Sequence, residues 1–299
     1  IYREEKKGLF IVKSSVAGLA FRLKKAGITS SRVNAEAILC EAIGCRIIDL
    51  YMHEITLSPE HIEFVEKMVA ARIGGKPLQH ITGKANFYGN DLFIREGVFI
   101  PRPETEVLVD IAIDLAHTIQ LAMSSSELKI LDMCTGSGNV GISLTKALTQ
   151  CKITSSDISD KALRAALKNA VLNSVSENME FIKADLLDIP EEYRESFDII
   201  VCNPPYIRSG DIDSLPDEVK RDPIEALDGG VDGMSFYRRI AEASPDFLKK
   251  GGSLVLELAD DLSKDVKRFV ESTGRFNSIK LFKDLNNIER VIIAHLNKN

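Results

Sequence analysis

The sequence has no hydrophobic run approaching the roughly 18 apolar residues that span a membrane. Its five cysteines, Cys40, Cys45, Cys134, Cys151 and Cys202, are odd in number, scattered and without a CxxC pair. That pattern argues against a disulfide framework or a zinc site, and for a reduced, cytoplasmic setting. There is no basic excess either: 38 Lys and Arg against 44 Asp and Glu leave a net charge of −6. A protein that held nucleic acid mainly through phosphates would be basic, so direct nucleic-acid binding is not expected. Low-complexity segments and internal repeats are missing. Near the start, the apolar stretch Leu9 to Val12 lies between Glu4-Glu5 and Lys13, too short and too charged for a signal peptide. The histidines (His53, His61, His80, His117, His295) show no ligand spacing, so no metal is expected.

What is present is an ordinary globular composition, 44% hydrophobic and 27% charged over 299 residues, enough for about two domains at roughly 150 residues each. The first eighty or so residues read as helical. Ala35, Ile38, Leu39, Ala42 and Ile43 share one helical face. Ser58-Pro59 reads as an N-cap with proline at the first helical position, and Gly74-Gly75 as the stop. Phe87-Tyr88 and Leu92-Phe93-Ile94 flank Gly89-Asn90, predicting a short hairpin, and Pro101 and Pro103 then interrupt regular structure. A helix follows from about Glu104. The expected division is a helical domain over 1–84, a hairpin connector over 85–103 and a larger domain over 104–299. Arg102 and Glu104 are placed in a cleft between the domains, or in an interdomain salt bridge.

From Lys129 onward, short apolar runs alternate with helical patterns at about 139–150, 159–173, 233–249 and 260–272. The strand candidates are Ile130-Leu131, Ile153-Thr154, Phe181-Ile182, Ile199 to Val201 and Leu254 to Leu256. Such alternation means right-handed βαβ units and a parallel sheet. The last two candidates, near 278–282 and 290–295, are joined by a short turn and should be antiparallel.

The turn after the first of these strands, Cys134-Thr135-Gly136-Ser137-Gly138, lets backbone approach a ligand closely. With Gly141 it satisfies G-x-G-x-x-G. Asp157 lies about 20 residues on, at the end of the next strand, where a carboxylate accepts ribose hydroxyls of an adenosine. Asp185 and Leu186, after the third strand, suit an adenine amino group and ring, although an Asp there is equally a turn residue.

Asn203-Pro204-Pro205-Tyr206 also ends a strand. The prolines fix φ and remove two donors, leaving carbonyls free to accept. The Asn203 side-chain oxygen and the Pro204 carbonyl can grip both hydrogens of a planar NH₂ group while Tyr206 stacks on it. Such a group is a base amine or a carboxamide, and both are poor nucleophiles. Two accepted hydrogen bonds push electron density onto the nitrogen and align it with an electrophilic methyl group.

With this tetrapeptide, the chain resembles the HemK/PrmC family, the release factor glutamine methyltransferases. The resemblance also rests on Pro77 to Gly83, Asn86 to Gly89, Phe99 to Glu106, Ala226 to Gly230, Asp232-Gly233 and Tyr237-Arg238. It implies an α/β fold: a class I S-adenosylmethionine-dependent methyltransferase, Rossmann-like, with a mostly parallel seven-stranded sheet behind a small N-terminal helical domain that recognises substrate. It implies transfer of a methyl group from S-adenosylmethionine, leaving S-adenosylhomocysteine, to the glutamine side-chain nitrogen in the Gly-Gly-Gln motif of peptide chain release factors. On this resemblance Cys134, Thr135, Gly136, Ser137, Gly138, Asp157, Asp185, Leu186 and Asn203 bind the cofactor. Asn203, Pro204, Pro205 and Tyr206 hold the carboxamide, with Asn203, Pro204 and Tyr206 catalytic.

Three positions depart from the family pattern: Cys134 replaces a usual glycine, Asp222 a usual glutamate, and Ala259 begins a segment that usually carries glycine and glutamine. Four rival readings are a ribosomal-protein glutamine methyltransferase, an adenine-N6 nucleic-acid methyltransferase, a nicotinamide dehydrogenase and a cofactor-binding scaffold without turnover. The string Pro101 to Glu106 looks like the release-factor branch, and hydride transfer has no need of Asn203 to Tyr206.

Overall fold

The computed structural model describes residues 10–53, 56–122 and 127–297. Most of the stretch read against a signal peptide therefore lies outside the described residues. Contacts divide the chain into two units, residues 1–83 and 84–299.

In the first unit, β1 (Phe10–Ile11) precedes α1 (Val12–Lys25), α2 (Ser31–Ile43) and α3 (Asp49–Met52). There follow β2 (Thr56–Leu57), which pairs antiparallel with β1, then α4 (Pro59–Ile73) and α5 (Leu78–Thr82). The expected stripe holds these helices together: Ala35, Ile38 and Leu39 are fully buried with Leu23, Leu50 and Val69. Each such large aliphatic side chain contributes about 1.5–3 kcal/mol by leaving water. The Ser58 hydroxyl accepts from the His61 N–H at 3.2 Å, capping α4 ahead of Pro59.

The second unit opens with a hairpin, β3 (Lys84–Phe87) and β4 (Asn90–Phe93), so the contacts group the expected connector hairpin with this unit. Its turn is Tyr88-Gly89, one residue earlier than the predicted Gly89-Asn90. Both turn residues have positive φ, 52° and 73°, as a two-residue turn of this hand requires. Asn90 instead starts β4, where its buried amide donates to Ser143 Oγ at 3.1 Å. Asn169, fully buried, accepts from Phe93 N and donates to Phe93 O and to Ser137 O. One amide thus ties the hairpin to the glycine turn.

The rest is α6 (Glu106–Ala122), β5 (Leu128–Met133), α7 (Asn139–Ala147), β6 (Cys151–Asp157), α8 (Asp160–Leu172), β7 (Met179–Lys183), β8 (Phe197–Cys202), α9 (Ser235–Ala243), β9 (Leu248–Glu257), α10 (Ser263–Ser272), β10 (Phe276–Lys283) and β11 (Glu289–Leu296). The sheet order is β10-β11-β9-β8-β5-β6-β7. Strands β5 to β9 are mutually parallel, while β11 runs antiparallel to both β9 and β10. From β5 the chain goes to β6 on one side and later to β8 on the other. That reversal opens a crevice at the strands' carboxyl ends. Strand β8 is buried throughout, as expected of a central parallel strand covered on both faces.

One helix differs from expectation. The pattern at 233–249 predicts a single helix, but α9 stops at Ala243 and β9 begins at Leu248. Pro245 is the cause: it has no N–H to donate and its ring clashes with the preceding turn.

Candidate active site

The glycine turn is held from below by Asp132, the penultimate residue of β5. Its fully buried carboxylate accepts from Thr135 Oγ at 2.6 Å and from Gly141 N at 3.1 Å. Burial pushes its pKa up to about 7. A Cβ at Gly141 would stand 2.9 Å from that carboxylate, and one at Gly138 3.0 Å from Ala166 Cβ. These two glycines therefore serve close packing. Cys134 has φ 55°, the left-handed region that costs an L-residue with a Cβ roughly 1–2 kcal/mol. That explains why glycine suits the position. Burial, with Cys134 adjacent, pushes the Cys202 thiol well above its ordinary value.

Asp157 ends β6 with both oxygens engaged at 2.9 Å, one by Gly136 N and one by Ser159 N. Each oxygen keeps a lone pair for a further donor, and burial raises its pKa above the usual carboxylate value. Asp185 is half-exposed and paired with Arg239 at 2.9 Å. Asn203-Pro204-Pro205-Tyr206 leaves β8, with both prolines buried. Burial also drives the Tyr206 phenol far above its ordinary value, so its ring stays neutral.

A cavity of about 1020 Å³ collects these groups: Cys134, Thr135, Gly136, Asp157, Asp185, Leu186 and Asn203 to Tyr206 all line it. That exceeds the roughly 300–1000 Å³ typical of a single-ligand pocket. Two expected cofactor residues, Ser137 and Gly138, do not line it. Ser137 is buried with its carbonyl on Asn169, and Gly138 is the N-cap of α7 with φ 82°.

The segment from Ile207 to Ser235 buttresses the tetrapeptide. Ile207 N donates to Leu227 O and Gly229 N to Ile207 O, at 2.9 and 2.7 Å. A Cβ at Gly229 would stand 2.6 Å from Tyr206 Cα, and one at Gly233 2.6 Å from Tyr206 O. The signature glycines 229 and 233 are there because Tyr206 backbone occupies the space. Asp222 anchors this segment by accepting from Arg102 and from Ile100 N. Arg102 therefore makes its ion pair inside the second unit, not between domains.

Two family models match the chain: "PrmC N-terminal domain" over residues 16–83 and "Methyltransferase domain" over residues 124–289. A release factor glutamine methyltransferase of Chlorobaculum tepidum is 35% identical over 96% of this chain and 97% of its own length. The chain belongs to the release factor glutamine methyltransferase family. Another relative of that name, from Clostridium acetobutylicum, is 40% identical over 73% of this chain and 74% of its own. Among solved structures, the hMettl16 catalytic domain in complex with a MAT2A 3′UTR hairpin matches with a TM-score of 0.56 and 15% identity. It covers 83% of this chain and 86% of that one, and shares the fold. The methyltransferase domain implies use of S-adenosylmethionine. No helix among the described residues is long and apolar enough to cross a membrane.

Asp132, Thr105 and Glu257 stand beside the expected site residues although the sequence does not single them out as site residues. Glu257 carried a readable signal, being the single charged residue that ends the apolar run Leu254-Val255-Leu256. Thr105 lies in the characteristic string Phe99 to Glu106, but only the fold brings it to Asn203, whose Nδ2 donates to Thr105 Oγ at 3.1 Å.

Proposed function

We propose that this protein methylates the side-chain amide nitrogen of the glutamine in the Gly-Gly-Gln motif of peptide chain release factors. What carries the reading is the shared cavity: Asn203 and Pro204 line the same space as Asp157 and Cys134 to Gly136 of the glycine turn. S-adenosylmethionine, when bound, supplies an electrophilic methyl group on a sulfonium. The residues present fit it. Asp157 offers lone pairs for ribose hydroxyls, Leu186 an apolar face, Asp185 an acceptor once released from Arg239, and the Cys134 to Gly138 turn a close backbone approach.

Asn203 Oδ1 and the Pro204 carbonyl accept the two hydrogens of the glutamine carboxamide. This withdraws the nitrogen lone pair from resonance with the carbonyl and fixes its direction. Tyr206 packs its neutral ring against the planar group. Pro205 restricts the backbone of Pro204 to the extended region and so fixes the direction in which the Pro204 carbonyl points.

We assign recognition of the release factor body to the helical domain expected over 1–84. Its exposed Phe21, Met52 and Phe64 support an apolar docking role. The catalytic domain is taken from residue 104 onward, and the setting is cytoplasmic. The test is methyl transfer from labelled cofactor onto a purified release factor. Label is expected on the wild-type factor and not on one whose motif glutamine is changed to Ala. Label on RNA or a ribosomal protein instead, or on nothing, would overturn the reading.

A further inference from the structure

Asparagine is an ambiguous recognition group. Its oxygen and nitrogen are alike in size, so rotation by 180° costs little sterically and only the hydrogen-bond partners decide which end faces out. For an NH₂ substrate the difference is absolute: with oxygen outward Asn203 accepts, and with nitrogen outward it repels. Something behind Asn203 must therefore select one orientation.

The sheet supplies it. In the β8–β9 ladder Cys202 stands opposite Leu256, so Asn203 and Glu257 follow side by side at the carboxyl ends. Glu257 is 2% exposed, and its Oε2 has no hydrogen-bond partner. The side chains that stabilise its charge are Thr105 and Asn203, with Arg290 nearby in β11. Thr105 is 1% exposed and its Oγ accepts from Asn203 Nδ2. An ionised carboxylate beside it only accepts, which favours turning the single Thr105 hydrogen toward Glu257 and leaving its oxygen for the Asn203 N–H. Tyr237, also buried, locks this end of β9 by donating its OH to Glu257 O at 3.0 Å.

We propose that Glu257 is a positioning residue which, through Thr105, turns the Asn203 NH₂ inward and its oxygen to the cavity. The inference rests on the function above and deepens it into a basis for selectivity. With Asn203 Oδ1 and the Pro204 carbonyl both facing out, the site takes a carboxamide and rejects the carboxylate of glutamate, which has no hydrogens to offer. A flipped Asn203 would aim its oxygen at Thr105 and the buried carboxylate, leaving acceptors unpaired.

Protonation of Glu257 removes the constraint, because a carboxyl O–H can donate to either orientation. Burial raises its pKa to about 7, Glu104 adding to the rise and Thr105, Arg290 and Asn203 opposing it, with the phenols of Tyr206 and Tyr237 also close by. Wild-type kcat should therefore fall as the pH drops below about 7.

The experiment compares wild type, Glu257→Gln, Asn203→Asp, Thr105→Val and the exchange Asn203→Asp/Glu257→Gln in methyl transfer to the release factor at saturating cofactor, between pH 6 and 8. Wild-type activity judges the proposed function separately, and ratios to wild type judge Glu257. Glu257→Gln is expected to lose about tenfold or more in kcat, the lower end for a preorganised polar group, with the cofactor KM little changed and the acid limb gone. The exchange restores a donor behind and an acceptor in front, and is expected to exceed both of its single changes. Should Glu257→Gln fail to fold, Thr105→Val interrupts the same chain and carries the test. Independently of turnover, the Asn203 side-chain NH₂ protons, read by NMR, should exchange slowly in wild type and quickly in Thr105→Val. Unchanged kcat in both Glu257→Gln and Thr105→Val, or an exchange variant slower than either single change, would overturn the proposal.

Discussion

Changing Gly229 to Ala is the most selective perturbation of the tetrapeptide. The added methyl would stand 2.6 Å from Tyr206 Cα and 2.7 Å from its carbonyl carbon, about 1 Å inside ordinary contact near 3.5–4.0 Å. These are backbone atoms, so no rotamer relieves the clash and Tyr206 must move with its neighbours. Gly229 is not among the glycines with positive φ, so alanine brings no backbone strain and the effect is steric. Overpacking costs typically about 1–3 kcal/mol. A shift of about 1 Å in a positioned group can cost on the order of 10²-fold in rate. The expected result is a kcat lower by 10–100-fold, on that same scale, with a modest fall in melting temperature. Cofactor affinity should be nearly kept, because Asp157 and the glycine turn lie on other strands. Gly210→Ala is the control: a methyl there meets nothing within 4 Å, and its kcat should be unchanged. If Gly229→Ala retains more than half of wild-type kcat, the close approach of this segment does not set the position of Tyr206.

Asn203→Ala is expected to lower kcat at saturating cofactor by about 10²–10³, and a variant keeping a tenth of the wild-type rate would remove Asn203 from the role of aligning the nucleophile. Asp157→Ala should weaken S-adenosylmethionine binding by about 1–3 kcal/mol, as for hydrogen bonds to a charged group; calorimetry showing equal affinity would take Asp157 out of the site. The pH dependence of stability follows from Asp132, Glu257 and Asp222, whose burial holds them near 7, 7 and 6 when folded. A carboxyl raised on folding gives its full stability below its unfolded value and loses it as the pH rises through the folded one. The melting temperature should therefore rise by several degrees from pH 8 to pH 6, with on the order of 1 kcal/mol from each strongly raised group. His295, whose pKa burial lowers, opposes this more weakly. A flat or falling melting temperature in scanning calorimetry would refute it.

The elements legible in the sequence were those whose cause is local. The stripe of Ala35, Ile38 and Leu39, the Ser58-Pro59 cap and the buried run Ile199 to Val201 each follow from side-chain periodicity or from one residue's hydrogen-bonding capacity. Where a local rule had competitors, reading slipped: Tyr88, not Asn90, takes the left-handed turn position because the Asn90 amide is wanted by Ser143. At 233–249 the apolar periodicity outweighed Pro245, although the proline ended α9. In the candidate site, the tetrapeptide, the glycine turn and Asp157 were legible because consecutive residues carry their chemistry. Ser137 and Gly138 share that motif, yet they are not among the residues that line the cavity.

By itself, then, the sequence determined the alternation of strands and helices, the carboxyl-end motifs and the resemblance those motifs carry, because each is written within a few residues. Only the tertiary structure decided that Thr105 and Glu257 stand behind Asn203 and that Gly229 and Gly233 yield their space to Tyr206. These partners are separated from their targets by stretches of chain that no spacing rule links. A parallel sheet brings together the ends of strands far apart in sequence, so neighbours across its carboxyl edge are set by strand order and register rather than by local pattern.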